Sequence, residues 1–320
     1  MTAYQDFFRQ QLAVWPLARQ NYESQRLARY RDLWFGDSCR IRLICLPARI
    51  GSSSAKITAK GEVDRPCFLC AHRLPPEQQA LPLPGTEDFR LLVNPFPVFP
   101  QHYTIPSVAH RPQALLSDLE LRFSLAGEMS DLVLFYNGGR CGASAPDHQH
   151  FQAGSKGLMP LQCDYPAWKA QGARPLRQTG ACQVYVLENL LRTGWLIESH
   201  DATAACRQIR TLVQLFGEQV RDEAPESRIN LLVWFEPADK RFVALLFPRL
   251  QHRPACFYAE GPQQRVTSPA SVEMSGYYIF PRSSDYEQIT PEELIQIYAD
   301  VCLPEKDIEA ISARLPMSLP

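Results

Sequence analysis

Two hydrophobic rhythms run along the chain, one at the helical period and one at every second residue. Near the N-terminus Phe7, Phe8, Leu12, Trp15 and Leu27 recur close to the helical period, which predicts a helical segment across residues 2–35. "CRIRLICLPARI" alternates apolar and polar positions and reads as a strand running into the turn-rich "GSSSAK". "FRLLVNPFPVFPQHYTIPS" predicts two strands around a turn whose prolines restrict the backbone to one shape. A helix is expected over "PQALLSDLELRFSLAGEMS", with Pro112 suited to its first turn. Strands follow at "DLVLFYNGG" and "HQHFQAG".

The second half repeats this type of order without repeating the sequence. "TAACRQIRTLVQLFGEQV" predicts a helix, and "RINLLVWFEP", "KRFVALLFPRL" and "GYYIFPR" predict strands. "TPEELIQIYADVC" carries Thr290 as an N-cap and Glu293 to complete a capping box, and "PEKDIEAISARL" reads as the last helix. The pattern as a whole is α+β, mainly antiparallel sheet with helices packed on it. A proline-rich, polar stretch around residues 160–180 is the expected boundary between the halves.

Composition narrows the function classes. The 320 residues are 45% hydrophobic and 21% charged, as in soluble globular proteins, and can form one large domain or two modest ones. Lys and Arg total 33 against 34 Asp and Glu, so no long-range field favours nucleic acid or an anionic membrane. No stretch approaches the ~20 apolar residues of a membrane span, and the N-terminus lacks a signal-peptide core. Most of the ten cysteines sit singly in apolar surroundings, so a reducing cytoplasm is expected rather than a disulfide framework.

The chemistry concentrates in "GASAPDHQHFQAG". In a strand His148, His150 and Gln152 would share one face, with Gln149 and Phe151 on the other. Such a row can hold a metal, attack phosphorus, or form the polar face of an edge strand. Four of the seven histidines lie between residues 102 and 150, which weighs against the last reading. A neutral imidazole can form a phosphoramidate, a glutamine can donate to a phosphate oxygen, and the small residues of "YNGGRCGASAP" allow close backbone approach. Cys67 and Cys70 in "RPCFLC" are spaced to grip one ion, with two buried thiols as the alternative. Arg49 and Lys56 flank a hydroxyl-rich turn and can neutralise a diphosphate, or simply be solvated. Arg249 and His252 can contact phosphate or sugar, though simple loop charge is the favoured reading, His72 competes weakly as a ligand, and His110 reads as a surface residue. Trp34, Phe35 and Tyr277 read as core.

These motifs resemble the H-x-H-x-Q branch of the histidine-triad superfamily. That branch comprises hexose-1-phosphate uridylyltransferases, dinucleoside tetraphosphate phosphorylases and GDP-hexose phosphorylases. The likeness rests on "HQHFQ" after "FYNGGRCGASAPD", on "RPCFLC" and "FPQHYTIP", and on "SGYYIFPRSSDYEQITPEELIQIYADVCLPEKDIEAI". It implies two histidine-triad-like halves, the second degenerate: a helical segment at 1–35, a catalytic half at 36–165 and a degenerate half at 166–320. It also implies that His150 is the nucleophile, that Gln152 and Asn137 contact phosphate, and that backbone amides up to Ser144 add donors. Cys67, Cys70, His102 and His148 would hold a structural zinc.

Two departures bear on substrate. Ala244, Leu245 and Leu246 stand where uridylyltransferases often carry a second metal site, and Tyr278 follows Tyr277 where they carry a hexose-binding glutamate. Both favour a phosphorylase cleaving a nucleoside diphosphate sugar or dinucleoside polyphosphate, with inorganic phosphate or a sugar phosphate as acceptor. A hydrolase of the same fold and a non-catalytic, zinc-stapled nucleotide-binding protein are the alternatives. Neither nucleic acid nor membrane is an expected partner, and both monomer and homodimer are compatible with a two-half chain.

Overall fold

The computed structural model describes residues 2–46 and 66–316, so Arg49 and Lys56 lie outside the described residues. Helix α1 (Ala3–Val14) buries Tyr4, Phe7, Phe8 and Gln11, the spacing of one helical face. Pro16, suited to a first turn, starts α2 (Pro16–Ser24). The helical expectation to residue 35 fails beyond this point, because Arg29–Phe35 is strand β1. Its alternation explains the difference: Arg31, Leu33 and Phe35 are partly buried while Tyr30, Asp32 and Trp34 face solvent. Trp34 is thus 59% exposed rather than core. Gly36, at φ +63°, lets the chain reverse into β2 (Cys39–Cys45), antiparallel to β1.

The remaining strands, apart from one, build a single ten-stranded sheet. In the first half these are β3 (Ala80–Pro82), β4 (Arg90–Val93), β5 (His102–Pro106), β6 (Leu132–Asn137) and β7 (His150–Ser155). In the second half they are β8 (Ala173–Thr179), β9 (Cys182–Leu187), β10 (Trp195–Ser199), β11 (Ile229–Glu236) and β12 (Arg241–Pro248). The stretch around 160–180 is not featureless: it carries a helix at Tyr165–Gly172 and most of β8. The strand order is β3-β4-β5-β7-β6-β11-β12-β10-β9-β8. Read inward from each edge, both halves run as three meandering strands, then the last strand, then the one before it. Each crossover is a helix, α3 (Leu119–Glu128) in the first half and α4 (Ala202–Val220) in the second.

Period-two alternation sorts the sheet into two faces. Leu132, Leu134, Tyr136, Leu231 and Val233 pack on one side with α3, α4 and α1 residues such as Phe123, Phe216 and Phe8. Val133, Phe135, Leu232 and Trp234 pack on the other with β2, β13 (Tyr277–Phe280) and α5 (Pro291–Val301). Strand β13 pairs parallel to β2, giving a second sheet of three strands over this face. The expected capping box of α5 forms, Glu293 N–H donating to Thr290 Oγ1 and Thr290 N–H to Glu293 Oε2. The chain ends its described part in α6 (Glu305–Ala313).

The sheet opens beside β7. The β6–β7 ladder runs only from Leu132↔Ser155 to Phe135↔Gln152. Beyond it Gln113 takes over, its Nε2 donating to the carbonyls of Asn137 (2.9 Å) and His150 (2.8 Å), its Oε1 accepting from His150 N–H (2.8 Å). This engagement accounts for the late start of α3. Residues 112–115 were expected to be helical, but Gln113 and Ala114 spend their hydrogen bonds on the segment around His150 instead.

Close packing holds β7 against the proline-rich turn. A Cβ placed on Gly154 would lie 2.3 Å from the ring of Phe99, which is fully buried and stacked on Tyr277. Gly154→Ala is therefore expected to destabilise the protein by about 1–3 kcal/mol. A urea unfolding curve checks this, an unchanged midpoint being the contrary result.

Candidate active site

A cavity of about 520 Å³ opens on the face of the large sheet that carries His150, Gln152 and Asn137. Phe68 and Phe96 give it an apolar side, Gly142, Ala143 and Ser144 a small-residue side, and Thr267, Ser268 and Glu273 a polar side from the second half. Gly142, at φ +106°, is held where an added Cβ would sit 2.5 Å from the Cβ of Ala270. The glycine loop of the first half is thereby pressed against the second.

His150 is almost wholly buried yet lines the cavity. Its Nδ1 lies 2.8 Å from the carbonyl of His148, which can only accept, so Nδ1 carries the proton and Nε2 presents a lone pair. Burial pushes its pKa down to about 4, against the opposing pull of that carbonyl. The ring is therefore neutral at physiological pH, as a nitrogen nucleophile must be.

Gln152 follows on the same face of β7. His102 sets its orientation: Val98 N–H donates to His102 Nδ1 (3.2 Å), which leaves the proton on Nε2, 2.8 Å from Gln152 Oε1. Asn94 Nδ2 approaches the same oxygen at 3.4 Å. With its oxygen so engaged, Gln152 has its NH2 left to offer the cavity.

This geometry corrects the expected ligand set. His102 is not beside Cys67 and Cys70, because its two ring nitrogens are engaged by Val98 and Gln152. His110, expected at the surface, joins the cysteines instead: Cys67, Cys70, His110 and His148 bring one ligand atom each within 4.8 Å of one another. Cys67 Sγ is 3.2 Å from His148 Nδ1, and Cys70 Sγ is 3.2 Å from His110 Nδ1 and 3.7 Å from His148 Nδ1. Such separations are close to the roughly 3.5 Å edges of a tetrahedron of thiolates and imidazoles around one zinc-sized ion. His148 Nε2–H donates to the Ser107 carbonyl (2.9 Å), and His110 Nε2 faces Asp147 at 3.6 Å. Each ring thus has an outer partner that turns its Nδ1 lone pair toward the cysteines. The donor set suits a metal ion. His148 precedes β7 rather than lying in it, so it diverges from His150 instead of continuing one row.

Asn137, the last residue of β6, accepts at Oδ1 from Asn230 Nδ2 (2.9 Å) and Ser271 N–H (2.8 Å). Its NH2 is thereby left for the cavity it lines. Of the small-residue loop, Ser144 lines the cavity, whereas the Ala143 N–H is already directed at the Gly138 carbonyl (3.3 Å). His252 also lines it, but Arg249 does not: it is fully buried, so it is neither the loop charge favoured from the sequence nor a phosphate or sugar contact.

The comparisons with known proteins fit this arrangement. Residues 7–155 match the model of a domain of unknown function, DUF4922, and residues 226–316 match a GDPGP1-like C-terminal domain. The yeast Ap4A phosphorylase Apa2 in complex with AMP superposes with a TM-score of 0.55 at 17% identity, covering 92% of this chain and 97% of that one. Its complex with Ap4A gives 0.50 at 15% identity, with 90% and 97% covered. Over nearly its whole length the chain is similar in fold to that phosphorylase. No curated protein matches it by sequence. Among the described residues no helix is long and apolar enough to cross a membrane.

Several residues around the cavity carry no signal in the sequence: Gln113, Asn94, Asn230 and Ser271. None carries a motif, since each acts by hydrogen-bonding another site residue across the fold. Only the alternation that puts Asn230 on one face with Leu232 and Trp234 hinted at a polar intruder there.

The ligand correction has a direct readout. Offered zinc, the parent protein and His102→Ala are expected to bind one ion each, and His110→Ala to bind none or to bind it far more weakly. Metal analysis of both variants decides, and the reverse pattern would restore His102 to the ligand set.

Proposed function

We propose that this protein is a nucleotidyltransferase of the phosphorylase type, working through a nucleotidyl-histidine. The observation that carries the reading is His150, a buried, neutral imidazole whose free Nε2 faces a cavity alongside two amide donors. Nε2 attacks the α-phosphorus of a nucleoside diphosphate sugar or dinucleoside polyphosphate, forming a P–N bond as the P–O bond to the leaving phosphate breaks. The positive charge gained by the ring is stabilised through Nδ1–H by the His148 carbonyl. Gln152 and Asn137 donate to the non-bridging oxygens of the transferred group, the Gly142–Ser144 loop giving it room. In the second step an oxygen of inorganic phosphate or a sugar phosphate attacks phosphorus, the P–N bond breaks, and His150 returns neutral. Water in that role would make the protein a hydrolase.

Cys67, Cys70, His110 and His148 would hold a structural zinc. When bound, the ion anchors the segment leading into β7 and takes no part in bond making. The whole-chain likeness to a phosphorylase supports the choice of acceptor, together with the absence of histidine at Ala244, Leu245 and Leu246 in β12. Arg49 and Lys56 are retained as candidate diphosphate contacts.

Incubation with Ap4A or GDP-glucose labelled at the α-phosphorus is expected to leave acid-labile label on the wild-type protein and none on His150→Ala. Added phosphate should discharge the label as nucleoside diphosphate. Discharge as nucleoside monophosphate would favour the hydrolase, and undiminished turnover by His150→Ala would sink the mechanism.

A further inference from the structure

We propose that Asn230 and Arg249, both in the half without the nucleophile, are positioning residues that turn the amide of Asn137 toward the transferred phosphate. The inference rests on the reading of Asn137 as a phosphate donor. Arg249 is fully buried, and among the described residues no carboxylate pairs with it. Its Nε donates to the Val301 carbonyl (3.0 Å), and its Nη1 to the Pro269 carbonyl (2.8 Å) and to Asn230 Oδ1 (2.6 Å).

The polarity of every link follows from groups that have no choice. A guanidinium can only donate, so the Asn230 atom it meets is the carbonyl oxygen. The other end of that amide, Nδ2, then lies 2.8 Å from the Cys141 carbonyl, which can only accept. The same Nδ2 lies 2.9 Å from Asn137, which must present its oxygen there. Ser271 N–H independently demands that oxygen at 2.8 Å. A charge in the second half thus dictates, through two amides, that the first half offers NH2 to the cavity.

Packing alone does not call for this chain. Asn137 and Asn230 are directly opposed in the β6–β11 ladder, while Phe135 and Leu232, opposed two residues along, fill the same face with apolar side chains. A buried cation without an anion is costly, and this one ends a relay whose other end lies in the cavity. Hydrogen-bonded chains polarise their members, so the cation also strengthens Asn137 as a donor.

A double-mutant cycle tests the idea, read as the rate of labelling of full-length protein at saturating α-labelled Ap4A or GDP-glucose. Asn230→Asp keeps an acceptor for Arg249 but removes the donor to Asn137. In the parent background it is expected to slow labelling by about 100-fold, the usual cost of losing one such donor. In an Asn137→Ala background it should cost less than about threefold, because the residue it acts through is gone. Equal slowing in both backgrounds, or none in either, overturns the inference. So does an unaffected rate in Asn137→Ala alone, which would remove Asn137 as a donor. Failure of the parent itself to label with either compound overturns the reading of nucleotidyl transfer and this inference with it. If Asn230→Asp does not fold, Asn230→Ala removes the same donor without adding charge and enters the same cycle.

Discussion

The pairing of β6 with β11 is the contact on which the rest of the molecule depends. It joins two similarly wound halves into one ten-stranded sheet, and it sets Asn137 opposite Asn230 at the seam. Because the ladder is antiparallel, it also aligns the faces of the two halves. Residues 150 and 152 of β7 therefore share a surface with residues of β11, and the cavity can draw side chains from both. Without that seam the first half would keep His150 but lose one wall of the cavity and the Asn230 amide that meets Asn137.

Within the site, direction of donation matters more than charge. His150 is neutral, Gln152 and Asn137 are amides, and each owes its orientation to a partner of unambiguous polarity: the His148 carbonyl, the His102 Nε2–H and the Asn230 NH2. An amide reverses its chemical meaning on rotation by half a turn, at almost no steric cost. Outer partners of this kind are what makes an asparagine or glutamine a dependable donor. The same logic governs the Cys-His group, where the Ser107 carbonyl turns one ring toward the thiols.

Sequence patterning made the α+β class, the late helices and the strand bearing His150 legible, because periodicity records burial directly. "RYRDLWF" disguises a strand because its alternation sets arginines and an exposed tryptophan against few apolar residues, which extends the helical period of the preceding segment. β8 is not legible because a half-buried edge strand such as "ARPLRQT" holds few apolar residues. In the site, His150 and Gln152 are legible because their chemistry and spacing are local, whereas Asn137 is reached only through the family resemblance. The exchange of His102 for His110 was not visible. Both precede the histidine pair by comparable distances, and only the path of the proline-rich turn decides which ring reaches the cysteines. The turn folds Val98 N–H onto His102 and so commits that ring to Gln152. Arg249 was visible as a cation but not as a buried one, since nothing in "PRLQHRP" distinguishes a solvated guanidinium from one sealed among carbonyls.

The position of the seam along the polypeptide also orders events in time. The strand that carries His150 leaves the ribosome well before β11, and Asn230 is separated from Asn137 by 93 residues. The β5–β7 and β6–β7 pairings close within the first half, whereas the β6–β11 contact must wait for a strand 93 residues on from Asn137. The nascent first half can thus assemble its strands with the His150 imidazole already in place, yet with the Asn137 amide lacking its Asn230 partner and one wall of the cavity missing. In the proposed mechanism the site is complete only once the second half has docked, because that half brings Asn230 and the remaining wall.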